Sequence, residues 1–123
     1  MEERGIMIRE REAEMYEERR RILKRYILDI TSRVGNKCSR EVFETLLGQA
    51  IDVEAEMLKT RAALRTLLES DDPRDREKIP QVRKELWELT HLAQAYRCVL
   101  IRILARMIRK EAEVRLGVGV WEE

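Results

Sequence analysis

The sequence is poor in the residues that interrupt or cross-link a chain. Its 123 residues include five glycines, two prolines, two cysteines and one histidine. So few helix breakers, beside abundant Glu, Arg, Leu and Ala, predict long helices and no β-sheet. Cys38 and Cys98 form neither a CxxC pair nor a cluster, and the glycines form no phosphate-binding loop. The sequence therefore offers no catalytic, cofactor-binding or metal-binding signature.

Long apolar runs are also lacking. The longest, from Cys98 to Ile108, is roughly half the length that spans a bilayer, and Arg102 and Arg106 interrupt it. Residues 1–20 are densely charged and lack the apolar segment of a secretory signal. We therefore expect a cytoplasmic protein without a membrane partner.

Charge of both signs is plentiful and nearly cancels. The 25 basic and 24 acidic residues leave a net charge of +1. A strongly basic surface over the whole chain is excluded, whereas a local basic patch is not. Dense charge of both signs is also typical of thermophilic proteins, whose surfaces carry ion-pair networks.

Apolar residues recur at spacings of three and four in three segments, which predicts an all-α, up-down-up bundle of amphipathic helices. The helices are expected over about 6–34, 39–70 and 80–116. The predicted core positions are Leu23, Ile27, Ile30, Val34; Phe43, Leu46, Ala50, Val53, Met57, Thr60, Leu64, Leu67; and Val82, Leu86, Leu89, Ala93, Tyr96, Leu100, Ile103, Met107, Val114.

Turn residues predict where these helices end. Gly35 favours the left-handed conformation that stops a helix, and Ser39 is the expected N-cap of the second helix. The stretch 72–78 begins with Asp-Pro and predicts a separate short helical turn. Pro80, which lacks a backbone donor, is expected to start the third helix.

The chain is expected to form one domain over 1–123, with a charged helical arm (1–21) and an apolar tail (117–123). Beyond Ala95 the third helix is apolar on nearly every side, and only a ridge of arginines is expected to face water. Such a helix must be covered on most sides, which two further helices hardly achieve. We therefore expect a dimer or higher oligomer that acts in assembly or in binding a protein partner. The tail residues that would fold back or dock on a neighbour are Val118, Val120 and Trp121.

Two basic segments support an alternative function, a nucleic-acid-associated bundle such as a small subunit of a nucleoprotein complex or a viral coat component. In an up-down-up bundle they lie on parallel helices and could contact phosphates by charge. The candidate phosphate contacts are Arg19, Arg20, Arg21, Lys24, Arg25, Arg97, Arg102, Arg106, Arg109 and Lys110. Acidic residues of the second helix could instead neutralise them. These acids are Glu41, Glu44, Asp52, Glu54 and Glu56.

Glu88 and His91 have the Glu-x-x-His spacing of di-iron bundles. With Leu86 and Leu89 in the core, Glu88 and His91 fall on the solvent side of the helix, whereas bundle metal ligands project inward. A solvated Glu–His pair is therefore the preferred interpretation.

The stretch 72–77, Asp-Pro-Arg-Asp-Arg-Glu, resembles the Asp-x-x-Arg-Glu stretch of the helical chorismate mutase family. The resemblance implies an intertwined all-α dimer in which Arg61 would bind substrate. That family also needs a lysine between this arginine and the Asp-x-x-Arg-Glu stretch. Residues 60–77 contain none, so the substrate's carboxylate and ether oxygen would lack a cation. A charged interhelix turn capped by Asp72 is the preferred interpretation, and we do not expect an enzyme.

Overall fold

The computed structural model describes residues 2–35 and 39–117, with side chains from residue 10 onward. They form three α-helices, α1 (Glu2–Val34), α2 (Arg40–Glu69) and α3 (Pro73–Leu116), and the described ranges contain no strand. The predicted all-α fold with three helices is confirmed. Within these ranges, no helix is both long enough and apolar enough to cross a membrane.

The predicted helix ends are confirmed at both sides of the first connection. Gly35 has a φ of 64°, in the left-handed region that glycine adopts without a steric penalty, and its N–H donates to the Thr31 carbonyl at 2.8 Å. Ser39 caps α2, because its Oγ accepts the Val42 backbone N–H at 3.3 Å.

The predicted break at Pro80 is wrong. Asp72 caps α3 by accepting the Arg74 N–H at 2.9 Å, and the helix then continues through Pro80 without interruption. Proline removes one hydrogen bond, the one that would reach the Arg76 carbonyl. Because Pro80 and Arg76 are both exposed, water can hydrate that carbonyl, and the short turn and the third helix merge into one helix of 44 residues.

α3 is the central helix of the bundle, since it packs against both α1 and α2, which make few contacts with each other. α2 runs antiparallel to α3, and Tyr96 donates its hydroxyl hydrogen bond to Gln49 Oε1 at 3.3 Å. α1 runs parallel to α3: residues near Leu23 share a groove with residues 83–94, and residues near Val34 share a cleft with residues 99–106. The up-down-up order is therefore as predicted.

The buried core lies in the half of the bundle that contains the α1–α2 connection. Its buried members are Ile30, Leu46, Ala50, Ala95, Tyr96, Val99, Leu100 and Ile103. The predicted core positions are all buried or half-buried, apart from Val114, which is 62% exposed. Val114 lies in the last turns of α3, where the other two helices no longer cover it.

Two surfaces remain uncovered. Every described side chain from Glu10 to Arg21 is exposed, so the charged arm is a solvated helix over these residues. On α3 the arginine ridge is exposed, as predicted, but Ile101, Leu104 and Ile108 are exposed as well. The expectation that only arginines of this segment face water is therefore wrong.

Candidate functional site

The first candidate site is an apolar face formed by α2 and α3, which we call the outer face. Its six large aliphatic side chains are between 38% and 66% exposed. They are Leu47, Ile51 and Leu58 of α2, with Ile101, Leu104 and Ile108 of α3. Ile51 and Leu58 are seven residues apart, and so are Ile101 and Ile108, the spacing of a helix–helix seam. Each helix thus carries a second apolar stripe besides the one that faces the core.

One ion pair places the two stripes on the same side of the bundle. Arg97 of α3 pairs with Glu54 of α2. Glu54 is three residues after Ile51 and four before Leu58, and Arg97 is four residues before Ile101, so each charge shares a helix face with its aliphatic neighbours. The ion pair therefore lies within the outer face and joins its two halves.

The second candidate site is a groove of about 600 Å³ between α1 and α3, which we call the arginine groove. Arg19 and Arg20 stand on its α1 wall and Arg83 on its α3 wall. The other lining residues are Tyr16, Leu23, Leu86, Trp87, Thr90, His91 and Gln94, so that none of the described lining residues is acidic. Among the described residues, none of these three guanidinium groups has an ion-pair partner.

Trp87 and His91 form the aromatic part of this groove. Their rings are 4.2 Å apart between centroids and tilted by 41°. The His91 Nδ1–H donates to the Trp87 carbonyl oxygen at 2.7 Å, since a carbonyl can only accept, so this bond requires a proton on Nδ1. His91 is 8% exposed. The prediction of a solvated Glu–His pair is therefore wrong for His91: α1 covers this side of α3, whereas Glu88 is exposed and lines a different cleft.

The two basic segments lie at successive levels along the α1–α3 side. Of the predicted phosphate contacts, Arg19 and Arg20 line the arginine groove, while Arg102 and Arg106 line a smaller cleft beside Val34. Arg97 is paired with Glu54 across helices. The remaining candidates are exposed along their helices, with Arg109 paired to Glu113; they are Arg21, Lys24, Arg25, Arg109 and Lys110.

The acidic residues of α2 differ in whether they neutralise the basic segments of the other helices. Glu54 bridges to α3, whereas Glu44 pairs with Arg40 of its own helix. Glu56 lines the cleft that contains Glu88, and therefore faces carboxylates there.

Sequence reasoning missed Arg83 and Trp87. A signal for Arg83 was present: the residues three and four positions away on either side are Ile79, Pro80, Leu86 and Trp87, none of them acidic. Arg19 has the same property, with Met15, Tyr16, Ile22 and Leu23 at those positions. An arginine without an acid three or four positions away has no counter-ion on its own face of the helix.

Other candidate residues do not assemble into a site. No group of three or more potential metal ligands occurs within residues that the structure describes. The stretch 72–77 forms the first turn of α3, where Asp75 accepts from the Ser70 hydroxyl at 2.6 Å, as expected for a capped interhelix turn. Cys98 is a half-buried free thiol. Cys38 and the tail residues Val118, Val120 and Trp121 lie outside the described residues.

The chain matches no known protein family, and comparisons with curated proteins and with solved structures find no similar protein.

Proposed function

We propose that this protein is a non-catalytic assembly protein that associates with a second copy of itself through the outer face. The observation that carries the proposal is the second apolar stripe on each of two neighbouring helices. Six half-exposed aliphatic side chains make an apolar surface on the order of 500 Å², which is the size of the largest patch on a typical monomer, and such a patch often serves binding. Water contact with such a patch is unfavourable, and association removes it.

The chemistry of the outer face favours a copy of the same chain as the occupant. α2 and α3 are antiparallel, so a two-fold related copy presents the same two stripes and completes a four-helix arrangement. The charges within the face, Arg97 and Glu54, are already paired with each other. A neutral, aliphatic face is complementary to itself, because no like charges meet across a two-fold axis.

Size exclusion with light scattering, over a concentration series from nanomolar to about 100 µM, tests this proposal. The wild-type chain is expected to show a discrete oligomer at micromolar concentration. Ile51→Glu and Ile101→Glu are expected to shift the mass to that of the monomer, because each places a charge in the buried seam.

Leu28→Glu is the matched control. Leu28 is 68% exposed and lies on α1, away from the outer face. This variant is expected to keep the wild-type oligomer, and circular dichroism should show unchanged helicity in all three variants. A wild-type chain that stays monomeric at every concentration would contradict the proposal, as would an oligomer that Leu28→Glu disrupts as strongly as Ile101→Glu.

A further inference from the structure

We infer that the arginine groove binds a nucleotide unit, either a free nucleotide or part of a single-stranded nucleic acid. In this arrangement the arginines bind phosphate, and Trp87, packed against His91, stacks against the base. The site lies between α1 and α3 and shares no residue with the outer face. It can therefore be tested independently of self-association.

The charge of the groove selects an anion. Three guanidinium groups stand on its two walls. No carboxylate of the described residues lines it, and none of them pairs with Arg19, Arg20 or Arg83. The chain as a whole carries a net charge of only +1, so this concentration of one sign is local. Like charges along one groove repel each other, and a bound polyanion removes that repulsion. Guanidinium groups also match phosphate geometry through two parallel N–H bonds.

The aromatic lining selects a planar group beside the anion. Trp87 and His91 form a tilted ring pair, and Tyr16 stands on the opposite wall. Aromatic faces on which bases stack, beside cations that follow a phosphate backbone, are the two parts of a sequence-independent site for single strands. Inorganic phosphate would leave the aromatic part unused.

The size and polar groups of the groove fit a base with its sugar phosphate. A volume of about 600 Å³ lies in the range of sites for small organic ligands. Gln94 lines the groove and its side-chain amide has no described hydrogen-bond partner, so it can donate to and accept from a base edge. Thr90 already donates its hydroxyl to the Leu86 carbonyl at 2.7 Å, and its oxygen can still accept.

Tryptophan fluorescence reports on this groove directly. The chain has two tryptophans, Trp87 and Trp121, so Trp121→Phe leaves Trp87 as the single reporter. We would titrate this variant at low salt with three probes: ATP, a ten-nucleotide single-stranded oligothymidylate, and inorganic tripolyphosphate. Stacking is expected to quench Trp87 with ATP or the oligonucleotide. Tripolyphosphate is expected to bind more weakly and without that quenching.

Charge variants locate the binding. Anisotropy of a labelled oligonucleotide is expected to show about ten-fold weaker binding for Arg19→Gln and for Arg83→Gln, the loss of a charged hydrogen bond. Arg65→Gln is the matched control, since Arg65 is exposed on α2 and has no described ion pair. The logarithm of the binding constant, plotted against the logarithm of the salt concentration, is expected to have a slope of about −2 for three phosphate contacts. In each groove variant the slope is expected to be shallower by about 0.7.

Each outcome decides the proposal. Binding of the oligonucleotide but not ATP supports it with the polymer as ligand, and comparable binding of ATP supports it with free nucleotide as ligand. Tripolyphosphate binding as tightly as ATP would overturn it, and so would equal weakening by Arg65→Gln and Arg83→Gln. The absence of any quenching or anisotropy change at low salt would also overturn it. Because these probes do not depend on the outer face, Ile101→Glu is expected to retain binding.

Discussion

Arg97 of α3 and Glu54 of α2 pair with each other among the exposed aliphatic side chains of the outer face. The Glu54 side chain is 28% exposed and that of Arg97 62% exposed, so the carboxylate is the more buried partner. If a second copy covers this face, both charges leave water together. The ion pair is then retained only because each partner neutralises the other.

Glu54→Gln is expected to act mainly on association. In the separate chain it should lower the free energy of unfolding by about 1 kcal/mol or less, because Arg97 is largely exposed and water screens the pair. In the oligomer it leaves Arg97 buried without a counter-ion, which typically costs about 2–5 kcal/mol of binding free energy. Sedimentation equilibrium and urea unfolding measure the two effects separately.

The double variant Glu54→Gln with Arg97→Gln is the control for this effect. It removes both charges and is expected to recover most of the association. Glu56→Gln, an equivalent change outside the outer face, should behave as wild type. Unchanged association in the single variant would show that the ion pair does not lie in the interface. An equal fall in the single and the double variant would show that the loss does not come from an unpaired Arg97.

Ile30→Ala tests whether α1 contributes to the common core. Ile30 is 1% exposed, and truncation of a buried isoleucine to alanine typically costs about 2–5 kcal/mol. Leu28→Ala, two residues away and 68% exposed, should change the free energy of unfolding by less than about 0.5 kcal/mol. Urea unfolding followed by circular dichroism measures both. Similar values for the two variants would show that α1 does not pack as described.

Pro80→Ala is expected to stabilise the protein. Alanine restores the N–H that can donate to the Arg76 carbonyl and is the better helix former by about 3 kcal/mol. Part of that gain is lost, because the added conformational entropy stabilises the unfolded chain by about 0.4–1 kcal/mol. We expect a net gain of about 2 kcal/mol in the free energy of unfolding, measured by thermal or urea unfolding.

Pro73→Ala is the matched control for that prediction. Pro73 occupies the first turn of α3, where its missing N–H removes no helical hydrogen bond. Its replacement should leave stability unchanged or slightly reduced. A Pro80→Ala variant that is less stable than wild type would show that proline at this position serves the packing of α3.

Ser39→Ala should destabilise α2 by about 1 kcal/mol, because it removes the acceptor of the Val42 N–H. Ser39→Asp supplies another good N-cap and should remain close to wild type. Unfolding by urea measures the difference. Equal loss in both variants would indicate that the hydroxyl matters for a reason other than capping.

The core stripes and caps could be predicted from the sequence because each depends on residues within one helix. The spacing of Leu46, Ala50 and Val53 identifies a buried face whatever the partner is. Ser39 and Gly35 likewise mark helix ends through local hydrogen bonds and backbone conformation. At Pro80 the local rule failed, since one exposed hydrogen bond can be lost without ending a helix.

The two candidate sites could not be predicted in this way. His91 is outside the stripe that faces α2, yet α1 covers it, and only the arrangement of three helices reveals this. Arg19 and Arg83 are distant in sequence and lie on opposite walls of one groove. The outer face was implied in general terms by the apolar third helix. Its α2 half, with Ile51 and Leu58, becomes apparent only once the first stripe is known to be occupied by the core.

The central position of α3 predicts that the protection of backbone amides is uneven along the chain. α1 is held by α3 and scarcely by α2, and its segment from Glu10 to Arg21 is exposed. We therefore expect amide hydrogens to exchange faster in the first half of α1 than in the α2–α3 pair, through openings that leave the pair intact. The α1 wall of the arginine groove belongs to this less protected segment. A ligand that bridges both walls would slow exchange there, so occupancy of the groove and docking of α1 are thermodynamically linked.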